Sequence, residues 1–337
     1  MSPRRDPLPS LPPSPVSPAR RAREGGVEGA KPPWLKIRLR TGPVYNRVRR
    51  MTEELSLNTV CEEARCPNIF ECWGQGTATV MILGETCTRG CRFCSVNTGK
   101  PGGVVDPREP ENTAISLMEM GLAYVVLTMV DRDDLPDGGA AQVAETVRRI
   151  KHYSPELRVE TLVGDFLGAE ADVATVVCEG RPDVFAHNVE VVPRLQRTIR
   201  DARCSWDRSV AVLRSAKDLG SRVTKSSLMV GLGESNDEVI EAMGLLREAE
   251  VDVLTIGQYL RPTKRHANVV RYVEPEEFVD YERAGQELGF AFVASGPLVR
   301  SSYRAAEAFL SGVLAEQESS EPDMNRYGKK RKLSVLI

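Results

Sequence analysis

Six of the eight cysteines lie between residues 61 and 94, in two groups of three. Cys87, Cys91 and Cys94 have the spacing C-x3-C-x2-C and follow a short apolar run that predicts a strand. Three thiolates on one short loop can bind three irons of a [4Fe-4S] cluster and leave the fourth iron open to a small chelating molecule. A structural zinc site is the alternative, although such sites mostly use two close cysteine pairs or a cysteine pair with a histidine pair.

Cys61, Cys66 and Cys72 come earlier in the chain and have the spacing C-x4-C-x5-C. They are the first cysteine group, and Cys87, Cys91 and Cys94 are the second. Cysteines can be small buried hydrophobic residues, but charged residues separate the first two, and three at such intervals favour metal ligands. A secreted disulfide scaffold would be a shorter chain with its cysteines spread through it. We therefore predict an auxiliary iron–sulfur cluster here. Cys178 and Cys204 each stand alone and are expected to be inert thiols.

Charge and hydropathy argue against two classes of partner. The 337 residues include 45 basic and 47 acidic ones, which gives a net charge of −2. This balance argues against a general nucleic-acid binder or a polybasic membrane binder. No apolar run approaches the ~20 residues that a membrane helix needs. We expect neither nucleic acid nor membrane as a partner, and a cytoplasmic location.

The chain divides into four predicted regions. Residues 1–32 are rich in proline and arginine and are predicted to be disordered; as a transit peptide they would place the protein in an organelle matrix. Residues 33–77 form an N-terminal extension with the first cysteine group and a basic stretch, Lys36–Arg50, that lacks acidic residues. Residues 78–303 form the main domain, and residues 304–337 form a C-terminal helix with a basic tail.

The main domain alternates predicted strands and helices. Six continuous apolar strands, each followed by a stretch of helical periodicity, predict an α/β fold with a parallel sheet covered by helices. Six units instead of eight predict an incomplete barrel. The predicted strands are 78–83, 124–129, 158–163, 184–188, 226–230 and 253–260. The predicted helices are 112–120, 140–153, 169–178, 206–219, 236–249 and 275–288.

The second cysteine group resembles the radical SAM superfamily. The similarity rests on the C-x3-C-x2-C spacing, on Phe93 before Cys94, on the position after the first strand and on the six strand–helix units. It implies a partial (βα)6 TIM-like barrel, a [4Fe-4S] cluster on the three cysteines and S-adenosyl-L-methionine (SAM) at the open iron. One electron would then cleave SAM, and the 5′-deoxyadenosyl radical would take hydrogen from an unactivated C–H bond.

The first cysteine group carries a narrower resemblance. The stretch Cys61-Glu-Glu-Ala-Arg-Cys-Pro-Asn68, with Cys72 placed fifteen residues before Cys87, is similar to the lipoyl synthase family. The similarity runs from about Pro33 to Tyr303. Supporting stretches are 130–139, 160–163, 183–188, 224–226, 228–234, 257–260 and 300–303.

This resemblance implies the ligands of a second [4Fe-4S] cluster. Cys61, Cys66 and Cys72 would hold it with a serine of the segment 300–303, assigned by residue count to Ser302, with Ser301 as the neighbouring alternative. A hard serine oxygen beside soft thiolates suits a cluster that gives up its sulfur. The plain alternative for Ser302 is a helix cap.

The strand ends supply the expected SAM contacts, because ligands of parallel α/β sheets bind at the carboxyl ends of the strands. Asp131 and Arg132, after the second strand, would either orient the substrate or form a salt-bridged turn. The residues assigned to SAM are Thr128, Glu160, Asn188, Lys225 and Gln258.

The family resemblance implies a sulfurtransferase of lipoate biosynthesis and protein lipoylation. It would insert two sulfur atoms, at C6 and C8, into a protein-bound octanoyl-lysine, with the sulfur taken from the auxiliary cluster. The implied partners are octanoylated carrier domains of 2-oxo acid dehydrogenases, the glycine-cleavage carrier protein, a ferredoxin- or flavodoxin-type reductant, and a carrier that rebuilds the cluster. The alternatives are another sulfur-inserting radical SAM enzyme and a non-catalytic iron–sulfur protein.

Overall fold

A sheet of seven parallel strands lies at the centre of the computed structural model, which describes residues 31–35, 42–54, 59, 68–74 and 77–302. Its order is β1-β4-β5-β6-β7-β8-β9, and β2 and β3 form a separate two-stranded sheet. Most of residues 1–32, all of 304–337, and both Cys61 and Cys66 lie outside the described residues. The strands are β1 Thr77–Ile82, β2 Thr86–Cys87, β3 Asn97–Thr98, β4 Tyr124–Met129, β5 Arg158–Leu162, β6 Val184–Ala186, β7 Thr224–Val230, β8 Val253–Gln258 and β9 Phe292–Gly296.

The sheet is an open barrel wall with β1 and β9 at its two edges. All six predicted strands are present, each followed by helix, so the prediction of an α/β partial barrel is confirmed. The seventh strand, β9, was not predicted. Its sequence, Phe-Val-Ala-Ser-Gly, ends in three small residues, which have weak strand propensity compared with the β-branched residues of the other strands.

Helices cover the outer face of this wall and begin at recognisable capping residues. Ser205 and Ser235 accept hydrogen bonds from the backbone three residues onward, the latter in a capping box with Glu238. The helices are α1 Pro43–Glu54, α2 Ile69–Gly74, α3 Glu109–Met120, α4 Ala140–Tyr153, α5 Glu170–Ala174, α6 Gln196–Ile199, α7 Trp206–Asp218, α8 Asn236–Glu248 and α9 Pro275–Glu287.

The predicted helix 169–178 differs from the observed structure. The α-helical part, α5, ends at Ala174 and continues as a π-helical turn, Thr175–Gly180. Gly180 packs closely on α4, where a Cβ would lie 3.1 Å from the Cα of Ala144. The wider turn therefore brings a glycine against the neighbouring helix, which periodicity alone does not reveal.

The N-terminal helices share the core of the barrel. Tyr45 of α1 stacks on Phe70 of α2 with ring centroids 5.1 Å apart, and it also contacts Trp73. Trp73 is fully buried in the cluster that includes Val80 of β1. The helix of the first cysteine group is therefore fixed to the edge of the sheet by apolar packing. None of the described helices has the length and apolar character that a membrane crossing requires.

Candidate functional site

The loop of the second cysteine group follows β1 at the carboxyl edge of the sheet. Leu83 and Gly84 both have positive φ and turn the chain sharply after the strand. The short parallel pair of β2 and β3 then joins the two ends of the loop. The backbone N–H of Gly99 also donates to the carbonyl of Cys87, at 2.9 Å. These contacts close residues 87–98 into a compact loop.

Cys87, Cys91 and Cys94 all line one cavity of about 240 Å³. The ends of β4, β5 and β6 form its other walls, so the cavity lies where a parallel sheet of this type binds ligands. The structure thus brings together the three thiols that the spacing had grouped. Further lining residues include Phe93, Thr128, Asp131, Asp165, His187, Asn188, Glu190 and Cys204.

The surroundings of the thiols suit an iron–sulfur cluster. The backbone N–H of Arg89 donates to Sγ of Cys87 at 3.4 Å, and that of Asp201 donates to Sγ of Cys91 at 3.3 Å. Burial and, after it, the negative charge of the nearby Asp131 together raise the pKa of Cys87 to about 12. A thiolate in this place therefore needs a bound cation to offset its charge, and iron held by thiolates supplies one.

The side chain of Arg89 anchors the loop to the strand ends. Its Nε lies 3.0 Å from Oδ2 of Asp133, and its Nη2 lies 2.6 Å from Oδ1 of Asp165. Burial of Asp165 opposes its negative charge, but the guanidinium outweighs burial and lowers the pKa of this carboxyl. A buried arginine thus fixes the loop relative to β4 and β5.

Two further segments hold the same loop. The carboxylate of Asp201 accepts from the N–H of Gly90 at 2.8 Å, and Ile199 accepts from the N–H of Arg92 at 2.7 Å. Beyond β8, the ring of His266 is hydrogen-bonded through Nε2 to the carbonyl of Cys94 at 2.9 Å. The loop position is therefore set by contacts from several strand ends.

Of the residues assigned to SAM, Thr128 and Asn188 line this cavity. Asp131, which was expected to orient the substrate or form a turn, lines it as well. Burial raises the pKa of Asp131 to about 6, against the opposing effect of Arg89. Oδ2 of Asp165 is buried and has no hydrogen-bond partner among the described residues, so an acceptor is available for a donor group of a bound ligand. These features suit a molecule that carries a cationic amine.

Glu160 and Lys225 have different surroundings from those expected of SAM contacts. Nζ of Lys225 lies 2.8 and 2.9 Å from the two carboxylate oxygens of Glu160, which also accepts from Tyr124 at 2.8 Å. This buried group lies nearer the amino ends of the strands than Thr128 and is not among the residues lining the cavity. The two charges satisfy each other, so their assignment to SAM stays a prediction that the cavity does not support.

Gln258 and Arg132 bind backbone. Nε2 of Gln258 donates to the carbonyls of Val230 and Arg271, and its Oε1 accepts from the N–H of Val273 at 2.8 Å. Arg132 is buried and donates to backbone carbonyls and to Asp134. Of the two roles expected for Arg132, the salt-bridged turn is the one that these contacts favour.

The first cysteine group is described through Cys72 alone, in α2. The backbone carbonyl of Asn68, just before α2, accepts from the backbone N–H of Cys72 at 2.9 Å. The side-chain amide of Asn68 donates to the carbonyl of Leu298 at 2.6 Å. Leu298 lies four residues before Ser302, which is partly buried. The helix of Cys72 therefore contacts the segment that carries the predicted serine ligand.

Cys204 is a site residue that sequence reasoning missed. It was expected to be inert, yet it is buried beside the cavity, hydrogen-bonded to Cys91 and to Nη1 of Arg89. No spacing links it to the loop, because 115 residues separate Cys204 from its partner Arg89. Arg89 was missed as well, although its position between two cysteines was the available signal.

Two family models match the chain. The model of the Radical SAM superfamily covers residues 81–246, and that of the N-terminal domain of lipoyl synthase covers residues 18–66. A relative named lipoyl synthase from Sorangium cellulosum is 56% identical over 299 residues, which cover 84% of this chain and 80% of that protein. A relative named mitochondrial lipoyl synthase from Homo sapiens is 50% identical over 305 residues, which cover 89% and 82%.

A comparison with solved structures shows that this chain is similar to one of them in fold. The crystal structure of methylornithine synthase has a TM-score of 0.50 and 16% sequence identity, and the match covers 82% of this chain and 96% of that one. At this identity the similarity concerns the arrangement of strands and helices alone.

Proposed function

The chain belongs to the lipoyl synthase family of the radical SAM superfamily and is a sulfurtransferase, and on this basis we propose how its residues serve that activity. The proposed substrate is an octanoyl chain on a lysine of a lipoyl carrier domain. Sulfur is inserted at C6 and C8. The observation that carries the proposal is the convergence of Cys87, Cys91 and Cys94 on one cavity at the carboxyl ends of the strands.

These three cysteines hold a [4Fe-4S] cluster, and SAM binds beside it. When bound, the cofactors supply one electron, hydrogen-atom abstraction from C–H bonds, and sulfur. Arg89 and Asp201 hold the cysteine loop against the strand ends. Thr128, Asp131 and Asn188 line the space beside the thiols.

A second [4Fe-4S] cluster is held by Cys61, Cys66, Cys72 and Ser302 in this proposal. Support comes from the contact between Asn68 and Leu298, which joins the helix of Cys72 to the segment before Ser302. A serine oxygen is a harder ligand than a thiolate, so Ser302 would supply the most weakly held of the four protein ligands of a cluster that gives up sulfur.

The partners follow from the reaction. They are octanoylated carrier domains of 2-oxo acid dehydrogenases and of the glycine-cleavage system, a ferredoxin- or flavodoxin-type reductant, and a carrier that rebuilds the auxiliary cluster. The cytoplasm is the proposed location. An organelle matrix replaces it if residues 1–32 act as a transit peptide, and the relative from Homo sapiens is named as mitochondrial.

The test is a product assay without oxygen, using SAM, a strong reductant and a peptide with octanoyl-lysine. Wild type should form 5′-deoxyadenosine and a peptide that has gained two sulfur atoms. Cys72→Ala should still form 5′-deoxyadenosine but no thiolated product, and Cys91→Ala should form neither. Cys178→Ala, at an exposed cysteine that does not line the cavity, is the matched control and should behave as wild type.

Other outcomes separate the alternatives. Cleavage of SAM by wild type without sulfur insertion would indicate a radical SAM enzyme with another substrate. No cleavage of SAM in the reconstituted wild type would indicate a non-catalytic iron–sulfur protein.

A further inference from the structure

Two distant parts of the chain meet at Asn68. Its backbone carbonyl accepts from the N–H groups of Glu71 and Cys72 at 3.0 and 2.9 Å, so Asn68 begins the helix that carries Cys72. Its side-chain amide donates to the carbonyl of Leu298 at 2.6 Å, across 230 residues of sequence. The residue is 5% exposed, so this hydrogen bond is shielded from water. One residue thus bonds both to the backbone of a cysteine and to the segment that leads to Ser302.

The other side of that segment rests on Gly257 at the end of β8. A Cβ on Gly257 would lie 2.0 Å from the carbonyl oxygen of Val299 and 3.4 Å from Nη1 of Arg300. The segment is itself a tight turn, in which the N–H of Val299 donates to the carbonyl of Gly296 at 3.1 Å. The absence of a side chain at Gly257 therefore lets residues 298–300 lie directly against the barrel.

We propose that Asn68 and Gly257 are positioning residues for Ser302: they hold the turn 296–300 between α2 and β8 and thereby keep the serine near the helix that carries Cys72. This inference rests on the proposed function, which makes Ser302 a ligand. Asn68 acts through the backbone, since its amide bonds a carbonyl and not the serine. A residue that only began α2 would need no more than its backbone carbonyl, which accepts from Glu71 and Cys72. The side-chain amide contact of Asn68 with Leu298 is additional to that role.

The first test needs no metal. In Asn68→Asp the backbone carbonyl that accepts from Glu71 and Cys72 is kept. In the side chain, a carboxylate acceptor replaces the amide donor that faces the carbonyl of Leu298. Hydrogen exchange of the backbone amides in residues 298–302 of the metal-free chain should become about tenfold faster, as expected for the loss of one buried hydrogen bond. Asn46→Asp, on the exposed side of α1, introduces the same charge in the same extension and should leave the exchange unchanged.

The second test counts iron after reconstitution without oxygen. Asn68→Asp and Gly257→Ala should each fall from about eight to about four irons per chain, as is also expected of Ser302→Ala, with SAM binding retained. Asn68→Ala, which removes the donor without adding charge, should show the same loss. Retained SAM binding establishes that the barrel of each variant is folded.

The inference is overturned if Asn68→Asp keeps wild-type exchange in residues 298–302, or if Asn46→Asp accelerates it equally. It is also overturned if the Asn68 variants keep about eight irons. If wild type itself holds about four, the proposed auxiliary site fails, and the exchange measurement on the metal-free chain still decides whether Asn68 holds the turn.

Discussion

His187 lies at the end of β6 as a buried, neutral ring. Its Nδ1 lies 2.8 Å from the carbonyl of Val163, which can only accept, so Nδ1 carries the proton. Nε2 then accepts from the hydroxyl of Ser209 at 2.9 Å. Burial and, after it, the positive charge of Arg200 together lower the pKa of His187 to about 4. The folded chain therefore resists protonation of this ring.

The lowered pKa of His187 predicts that the free energy of unfolding falls in acid. Between about pH 6.5 and pH 4 the unfolded chain takes up a proton on His187 and the folded chain does not, so the free energy of unfolding falls as the pH falls, by up to ~1.4 kcal/mol per unit. His187→Gln should show a shallower fall when urea unfolding is followed from about pH 7 to pH 5. Asp131, with its raised pKa, contributes the opposite slope in both proteins and cancels in the comparison. An equal slope in both would refute the prediction.

At the scale of residues, the sequence predicts ligands better than their supports. The spacing of Cys87, Cys91 and Cys94 is local, so a single loop reveals it. The partners of Arg89 follow only after 44 residues, at Asp133, and after 76 residues, at Asp165. Nothing in a linear pattern joins such residues, because folding alone brings the ends of β1, β4 and β5 together.

At the scale of elements, three strands share a buried polar group. Inside the barrel, the carboxylate of Glu160 of β5 accepts from the hydroxyl of Tyr124 of β4 and from Nζ of Lys225 of β7, and both charged side chains are at most 4% exposed. A buried pair of this kind contributes little net stability, but loss of one partner leaves an uncompensated charge. The group therefore links non-adjacent strands across the inner face of the wall.

Lys225→Met should lower the free energy of unfolding by about 3–5 kcal/mol. The double variant Glu160→Gln/Lys225→Met should recover most of this loss and bind SAM with a dissociation constant close to that of wild type. Urea unfolding and equilibrium SAM binding measure the two effects. A double variant that is as stable as wild type but binds SAM more than tenfold more weakly would restore the assignment of these residues to SAM.

The elements themselves are largely predictable, since buried parallel strands are continuous apolar runs and covering helices have a period of 3.6 residues. The failures have local causes. The small residues that end β9 carry little strand signal, and the π-helical turn at Thr175–Gly180 depends on packing against α4. Both are decided by neighbours in space.

At the scale of the whole molecule, the N-terminal extension presents a basic helix surface. Arg47, Arg49 and Arg50 of α1 are exposed, while Tyr45 and Val48 pack into the core. An acidic carrier domain would be attracted to this face. The surface lies in the same extension as the auxiliary cysteines.

Arg47→Glu/Arg49→Glu should raise KM for an octanoylated carrier domain by about tenfold and leave KM for a short octanoyl peptide unchanged. The physical reason is that the peptide lacks the acidic surface. Reversal of Arg222 and Arg283, exposed residues outside the extension, is the matched control. Equal effects of Arg47→Glu/Arg49→Glu on both substrates would rule out a docking surface.

The contact between the segments 68–74 and 298–302 is the feature that the sequence predicts least well. Spacing nominates Cys61, Cys66 and Cys72, but Ser302 was reached by family resemblance alone. The physical link, the contact of Asn68 with Leu298, spans 230 residues. A long-range ligand of this kind has no periodic or local signature.

Iron, sulfide and zinc per chain, measured after reconstitution without oxygen, test the central claim most directly. The comparison is between wild type and the variant with Cys61→Ala, Cys66→Ala and Cys72→Ala. Two clusters predict about eight irons in wild type and about four in the variant, with little zinc in either. About four irons in both proteins, or zinc in place of iron, would contradict the account.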